Sequence, residues 1–91
     1  MSRQRRIIHF LGMVQGVGFR YTAIRVAAGF EVTGYVRNLR DGRVEVIAEG
    51  EPEQLDAFRA ELCRQMEGYV RDIQQEVAEP TGQFVGFDVR Y

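Results

Sequence analysis

The sequence predicts an α+β fold in one domain, with two helices on one face of an antiparallel sheet of four to five strands. Three observations carry that expectation. The hydrophobic period switches between two and about 3.6, so strand-like and helix-like segments follow one another as strand, helix, strand, strand, helix, strand. An Asp-Gly pair, Asp41-Gly42, separates the two middle strands as in a hairpin. A chain of 91 residues is long enough for one core and short for two.

The elements follow in order. Arg6 to Val14 reads as a strand, with Ile8, Phe10 and Val14 on one face. It runs into Gln15-Gly16-Val17-Gly18, where closely spaced glycines oppose both helix and strand. Phe19, Ala23, Val26, Ala27 and Phe30 then form a helical stripe. Val32 to Leu39 and Val44 to Glu49 are the hairpin strands, joined by the turn Arg40-Asp41-Gly42-Arg43. Pro52 suits the first position of a second helix, whose stripe is Leu55, Phe58, Leu62 and Met66 and whose stop is Gly68. Between Val70 and Val77 the pattern weakens, and a strand is expected near Ile73–Ala78. After the turn Pro80-Thr81-Gly82, the alternation of Val85, Phe87, Val89 and Tyr91 predicts a last strand. Two βαβ units around a hairpin make a ferredoxin-like two-layer sandwich, βαββαβ with an extra strand near the end. Residues 1–5 are expected to be a flexible basic start to a single domain spanning 1–91.

Composition narrows the chemistry by what is missing. All twelve cations are arginine, which excludes a Schiff-base lysine and a P-loop lysine. One histidine, His9, and one cysteine, Cys63, build neither a Cys/His zinc site nor a disulfide framework. Ser2 is the only serine, which argues against a Ser-His-Asp triad. The net charge of −1 hides an asymmetry: residues 1–47 carry eight Arg and three acids, residues 48–91 four Arg and ten acids. A basic first half suggests an anion site there. No apolar run reaches the length of a membrane span, and the start lacks the features of a secretory signal, so the cytoplasm is expected.

Gly12-Met13-Val14-Gln15-Gly16-Val17-Gly18-Phe19-Arg20 leaves a strand, passes a glycine-rich loop and enters a helix. Helix N-termini present unpaired N–H groups and the positive end of the dipole. A loop with glycines at 16 and 18 can converge several N–H groups on one tetrahedral anion. Arg20 adds a fork for two phosphate oxygens, although the helix dipole disfavours a cation in the first turn. The alternative is a tight turn with its arginine in water.

These nine residues resemble the acylphosphatase loop Gly-x-Val-Gln-Gly-Val-x-Phe-Arg throughout. Gly34-Tyr35-Val36-Arg37-Asn38, with Gly42, Val44 and Gly50, is similar to the family's second signature, and Pro80-Thr81-Gly82-Gln83-Phe84-Val85-Gly86-Phe87 looks like its last strand. The resemblance implies the same sandwich and a metal-free, cofactor-free hydrolysis of acyl phosphates to a carboxylate and inorganic phosphate. It implies that Arg20 and the main chain of Gln15, Gly16, Val17, Gly18 and Phe19 bind the phosphate. Asn38 would position the attacking water. Tyr35 stands where the family often has tryptophan. Glu31 stands where it often has glycine, and Gly29 is the substitute expected to make that turn.

Other residues read more plainly. His9 is a sheet-face residue rather than a general base, and Cys63 a small core or boundary residue. Arg3, Arg5 and Arg6 belong to a solvated, partly disordered terminus rather than a steering patch. Arg37 and Arg40 either draw phosphate toward Asn38 or pair with hairpin acids such as Glu45. Two rival functions remain. One is a non-catalytic phosphate-binding or regulatory domain, like those at the front of larger carbamoyl-transferring proteins. The other is an RNA-binding module, whose aromatic signature this chain lacks. A chain ending just after its last strand fits a free-standing monomeric enzyme, with a small acyl phosphate as partner and no nucleic acid or membrane.

Overall fold

A computed structural model describes residues 2–91. The elements are β1 (Gln4–Gly12), α1 (Phe19–Ala27), β2 (Val32–Asn38), β3 (Val44–Gly50), α2 (Pro52–Gln65), β4 (Val70–Ala78) and β5 (Phe87–Val89). They form one five-stranded sheet in the order β4-β1-β3-β2-β5. Ile8, Phe10, Val36, Val44 and Val46 line one face because alternate strand residues point the same way. Onto them pack Phe19, Ala23 and Val26 of α1 and Leu55, Phe58 and Leu62 of α2. Phe10 meets Phe19 at 4.9 Å between ring centroids and Phe58 meets Phe87 at 5.5 Å, so each helix is pinned to the sheet by an aromatic pair. Each enclosed phenylalanine contributes about 1.5–3 kcal/mol by leaving water.

The βαββαβ sandwich is as expected, and the hairpin pairs Asn38 with Val44 across the Asp-Gly turn. Several details differ. The sheet is mixed, because β5 joins β2 in parallel while the other pairs are antiparallel. That last strand is confined to Phe87–Val89; Val85 and Tyr91 stand out of it, 94% and 99% exposed. Strand β4 starts at Val70, earlier than the weak alternation suggested, because its outer residues are charged and amide side chains at the sheet edge. Gly29 does not take the left-handed conformation expected of it; α1 closes through a right-handed Ala28 and successive turns.

Strand β1 starts at Gln4, so Gln4 and Arg5 of the expected flexible segment belong to the sheet, and Met1 lies outside the described residues. Arg6 is not solvated. It is 7% exposed and donates to Asp56 of α2 at 2.7 Å and to Gln4, which ties the strand to the helix layer. Cys63 is half-buried and free, packed against the core as expected.

The face without helices is crossed by residues 79–86. Glu49, fully enclosed, holds this strap by accepting hydrogen bonds from the Thr81 N–H, the Thr81 hydroxyl and the Gly82 N–H, each at 2.9 Å. Phe84 then packs edge-on against Tyr35, and the Gly34 N–H donates to Gly86, which delivers the chain to β5. Burial by itself would raise the Glu49 carboxyl, but the donors from Thr81 and Gly82 and nearby Arg5 hold it below its ordinary 4.5. A carboxylate with a lowered folded value stabilises fully above 4.5, and that contribution disappears as pH falls through the folded value. Urea midpoints measured from pH 6 downward should therefore fall more steeply for the wild type than for Glu49→Gln. Parallel curves would show that the carboxylate does not hold the strap.

Candidate active site

The loop between β1 and α1 is built by its glycines. Gly16 and Gly18 have φ of +78° and +79°, and a Cβ at either would meet nothing within 4 Å. Conformation rather than space demands glycine at both. Val14 and Phe19, fully buried or nearly so, anchor the loop's two ends in the core. Between them the Gln15 amide leaves the loop and donates to the carbonyls of Leu39 and Arg43 at 2.7 and 3.0 Å. Gln15 thus clamps the loop to the end of the hairpin that carries Asn38.

Helix α1 opens without help from side chains. Gly18 at its N-cap makes no side-chain cap bond, and no acid stands in the first turn. The first intrahelical bond runs from the Thr22 N–H to Gly18 at 2.9 Å, so the N–H groups of Phe19, Arg20 and Tyr21 have no acceptor within the helix. With the positive end of the helix dipole, they form a local demand for negative charge.

Gly16, Gly18, Phe19, Arg20 and Asn38 line one cleft of about 280 Å³, completed by Val14, Tyr21, Ile24, Val89 and Tyr91. Arg20 comes from the helix and Asn38 from the end of β2, so the fold joins the two residues singled out from the sequence. Gln15 and Val17 are not among the lining residues: Gln15 faces the hairpin, and Val17 packs against the core. Arg20 makes no ion pair among the described residues, and its guanidinium lies 5.2 Å from the centre of the Tyr91 ring. The Asn38 side-chain oxygen is shielded from solvent and has no hydrogen-bond partner among the described residues. An unpaired buried acceptor costs about 1–3 kcal/mol, a cost that recurs where a polar group is held for a ligand.

Behind the hairpin, Glu45 collects His9 at 2.9 Å, Arg37 at 2.8 Å and the Tyr35 hydroxyl at 3.2 Å. Arg37 therefore pairs with the hairpin acid, while Arg40 is exposed in the turn. Burial pushes the Glu45 carboxyl up, but the bonds to His9 and Arg37 outweigh it and leave the group below its ordinary value. This cluster stiffens the strands that carry Asn38, and its His9 lies outside the cleft lining. No group of three or more His, Cys, Asp or Glu able to hold a metal occurs among the described residues. Likewise, no described helix is long and apolar enough to cross a membrane.

Sequence reasoning missed the wall formed by Tyr21, Ile24 and Val89. The spacing of Tyr21 and Ile24, three apart on one helix, was a usable signal for two of the three. The contribution of Val89 depends on the parallel pairing of β5 with β2, which the alternation that predicts the last strand does not specify.

A family model described as Acylphosphatase matches residues 6–89. A Methylococcus capsulatus protein named acylphosphatase is 45% identical over 86 residues, covering 90% of this chain and 92% of that one. The crystal structure of acylphosphatase from Bacillus subtilis matches with a TM-score of 0.86 at 35% identity, over 99% of this chain and 100% of that one. The crystal structure of T. kodakarensis HypF matches 97% of this chain with a TM-score of 0.83 and 31% identity, within 12% of its own length.

Proposed function

This chain belongs to the acylphosphatase family, whose members hydrolyse acyl phosphates, and from that premise we propose how its cleft does so. The phosphoryl group sits on the main-chain N–H groups from Gln15 to Phe19 and on the Arg20 fork, while Asn38 positions the attacking water, and no metal takes part. One observation carries the reading: Arg20 and Asn38 line the same cleft, and neither spends its side chain on a hydrogen bond or ion pair with the protein among the described residues.

The chemistry asks for little more. The water oxygen bonds to phosphorus as the bond from phosphorus to the acyl oxygen breaks, and that electron pair leaves on a carboxylate. One water proton passes to a phosphoryl oxygen and the other stays, giving dihydrogen phosphate. A carboxylate leaves without prior protonation, so catalysis reduces to positioning and to neutralising charge on the equatorial oxygens. Arg20 and the helix N-terminus supply the neutralisation. The Asn38 amide turns on a broad torsion, so its oxygen can swing from its shielded position to a water while its NH₂ donates to phosphate. Among the described residues the cleft lining holds no carboxylate, imidazole or thiol side chain with which to ligate a metal.

Hydrolysis of benzoyl phosphate in excess EDTA is expected to match the rate with added magnesium. Strict dependence on the metal would overturn the metal-free reading. Orthophosphate bound by the loop without turnover would favour the rival reading of a non-catalytic domain, as the likeness to a segment of a much longer chain allows.

A further inference from the structure

The geometry points to an apolar acyl subsite, selective for acyl phosphates with an extended alkyl or aromatic acyl group; the inference rests on the proposed placement of the phosphoryl group. Gly16, Gly18 and Arg20 give the cleft its anion-binding part, and the same lining carries Tyr21, Ile24, Val89 and Tyr91, the last beside the Arg20 guanidinium. Tyr21 and Tyr91 are 72% and 99% exposed, and Ile24 and Val89 half-buried, so this wall is apolar surface left open to water. It continues. Ile24 also borders a second depression of about 310 Å³ between α1 and β5, where Phe30 and Phe87 lie. Val89 and Phe87 are alternate residues of one strand and share a face, so the two depressions adjoin at Ile24 as a trough that we infer along the α1–β5 seam.

The occupant follows from connectivity. In an acyl phosphate the acyl carbon is one oxygen away from phosphorus, so a phosphoryl group held at Arg20 places the acyl group against the cleft wall. A short acetyl group ends before reaching the trough, whereas a longer chain or a ring covers Tyr21, Ile24 and Val89. Among the described residues no acidic or basic side chain lines the trough beyond Arg20. The nearby Arg25, over the outer Tyr21 ring, donates to Gln65, so an acyl group ending in a charge loses solvation in the trough without a committed partner.

The test is a series of acetyl, butanoyl and hexanoyl phosphates, with succinyl phosphate as the charged comparison. Full burial of one methylene is worth about fourfold, so this open trough should raise kcat/KM by about twofold for each methylene added. Succinyl phosphate should fall below butanoyl phosphate. Binding of methyl- to hexylphosphonate, followed by calorimetry, should climb with chain length in the same way without any turnover. Tyr21→Ser and Ile24→Ser are each expected to flatten both slopes, a ratio within one variant that a general loss of stability does not mimic. Hydrolysis of every acyl phosphate with flat slopes would overturn the subsite and leave the activity standing. A rising phosphonate slope with no hydrolysis would do the reverse.

Discussion

Arg20→Ala should lower kcat/KM for benzoyl phosphate by on the order of 10³-fold or more, with KM raised at least tenfold, because one group both binds the phosphoryl oxygens and neutralises them. The bidentate fork matters as well as the charge. Arg20→Lys keeps the charge as a point and is expected to recover only part of the loss. The fold should survive either change. Among the described residues the guanidinium touches the Tyr91 ring at 5.2 Å, a contact worth about 0.5–1 kcal/mol at an exposed site. Melting temperatures should therefore move by a few degrees at most. Wild-type kcat/KM in a folded Arg20→Ala would remove the arginine from the account.

Asn38→Ala is expected to show a different pattern: kcat down by about 10²–10³-fold, with KM within a few-fold of wild type. Loss of a group that places the water and gives the phosphate only one neutral donor lowers turnover far more than it weakens ground-state binding, which Arg20 and the loop dominate. Stability should be unchanged or higher, because the substitution removes a buried oxygen that no donor satisfies. A site residue whose removal helps the fold and harms the reaction is held there for the reaction. If KM rose with kcat unchanged, Asn38 would be a binding group and the water would need another partner.

The two variants draw on information that was unequally visible in the sequence. The loop was marked as a candidate by its residues alone, since glycines at 16 and 18 and an arginine against the helix dipole break local rules where an anion would repair them. A tight turn with a solvated arginine fitted those residues as well. Asn38 was not. Nothing in Val36-Arg37-Asn38-Leu39 marks a site, and only the resemblance of its surroundings to a known signature singled it out. The period of the apolar residues conveyed both helices and the hairpin, because burial on one face imposes that period directly.

What stayed hidden depends on partners distant in the chain. Gln15 reads as one more donor near the loop, yet its amide is committed to Leu39 and Arg43, carbonyls that only the folded hairpin brings within reach. Arg6 reads as part of a solvated basic start, yet Asp56 of the second helix pairs with it in a nearly closed site. The parallel β5 was masked by an alternation from Val85 to Tyr91 that continues past both ends of the actual strand. Strand β4 was weak for the opposite reason: an edge strand shields only part of one face, so few apolar residues mark its period.

Hydrolysis of benzoyl phosphate in oxygen-18 water, with EDTA present, tests the central claim most directly. Attack at phosphorus by a water held at Asn38 places the heavy oxygen in inorganic phosphate and leaves the benzoate unlabelled. Label in the benzoate would mean attack at the carbonyl carbon, and the roles given to Arg20, the loop and Asn38 would all be contradicted together.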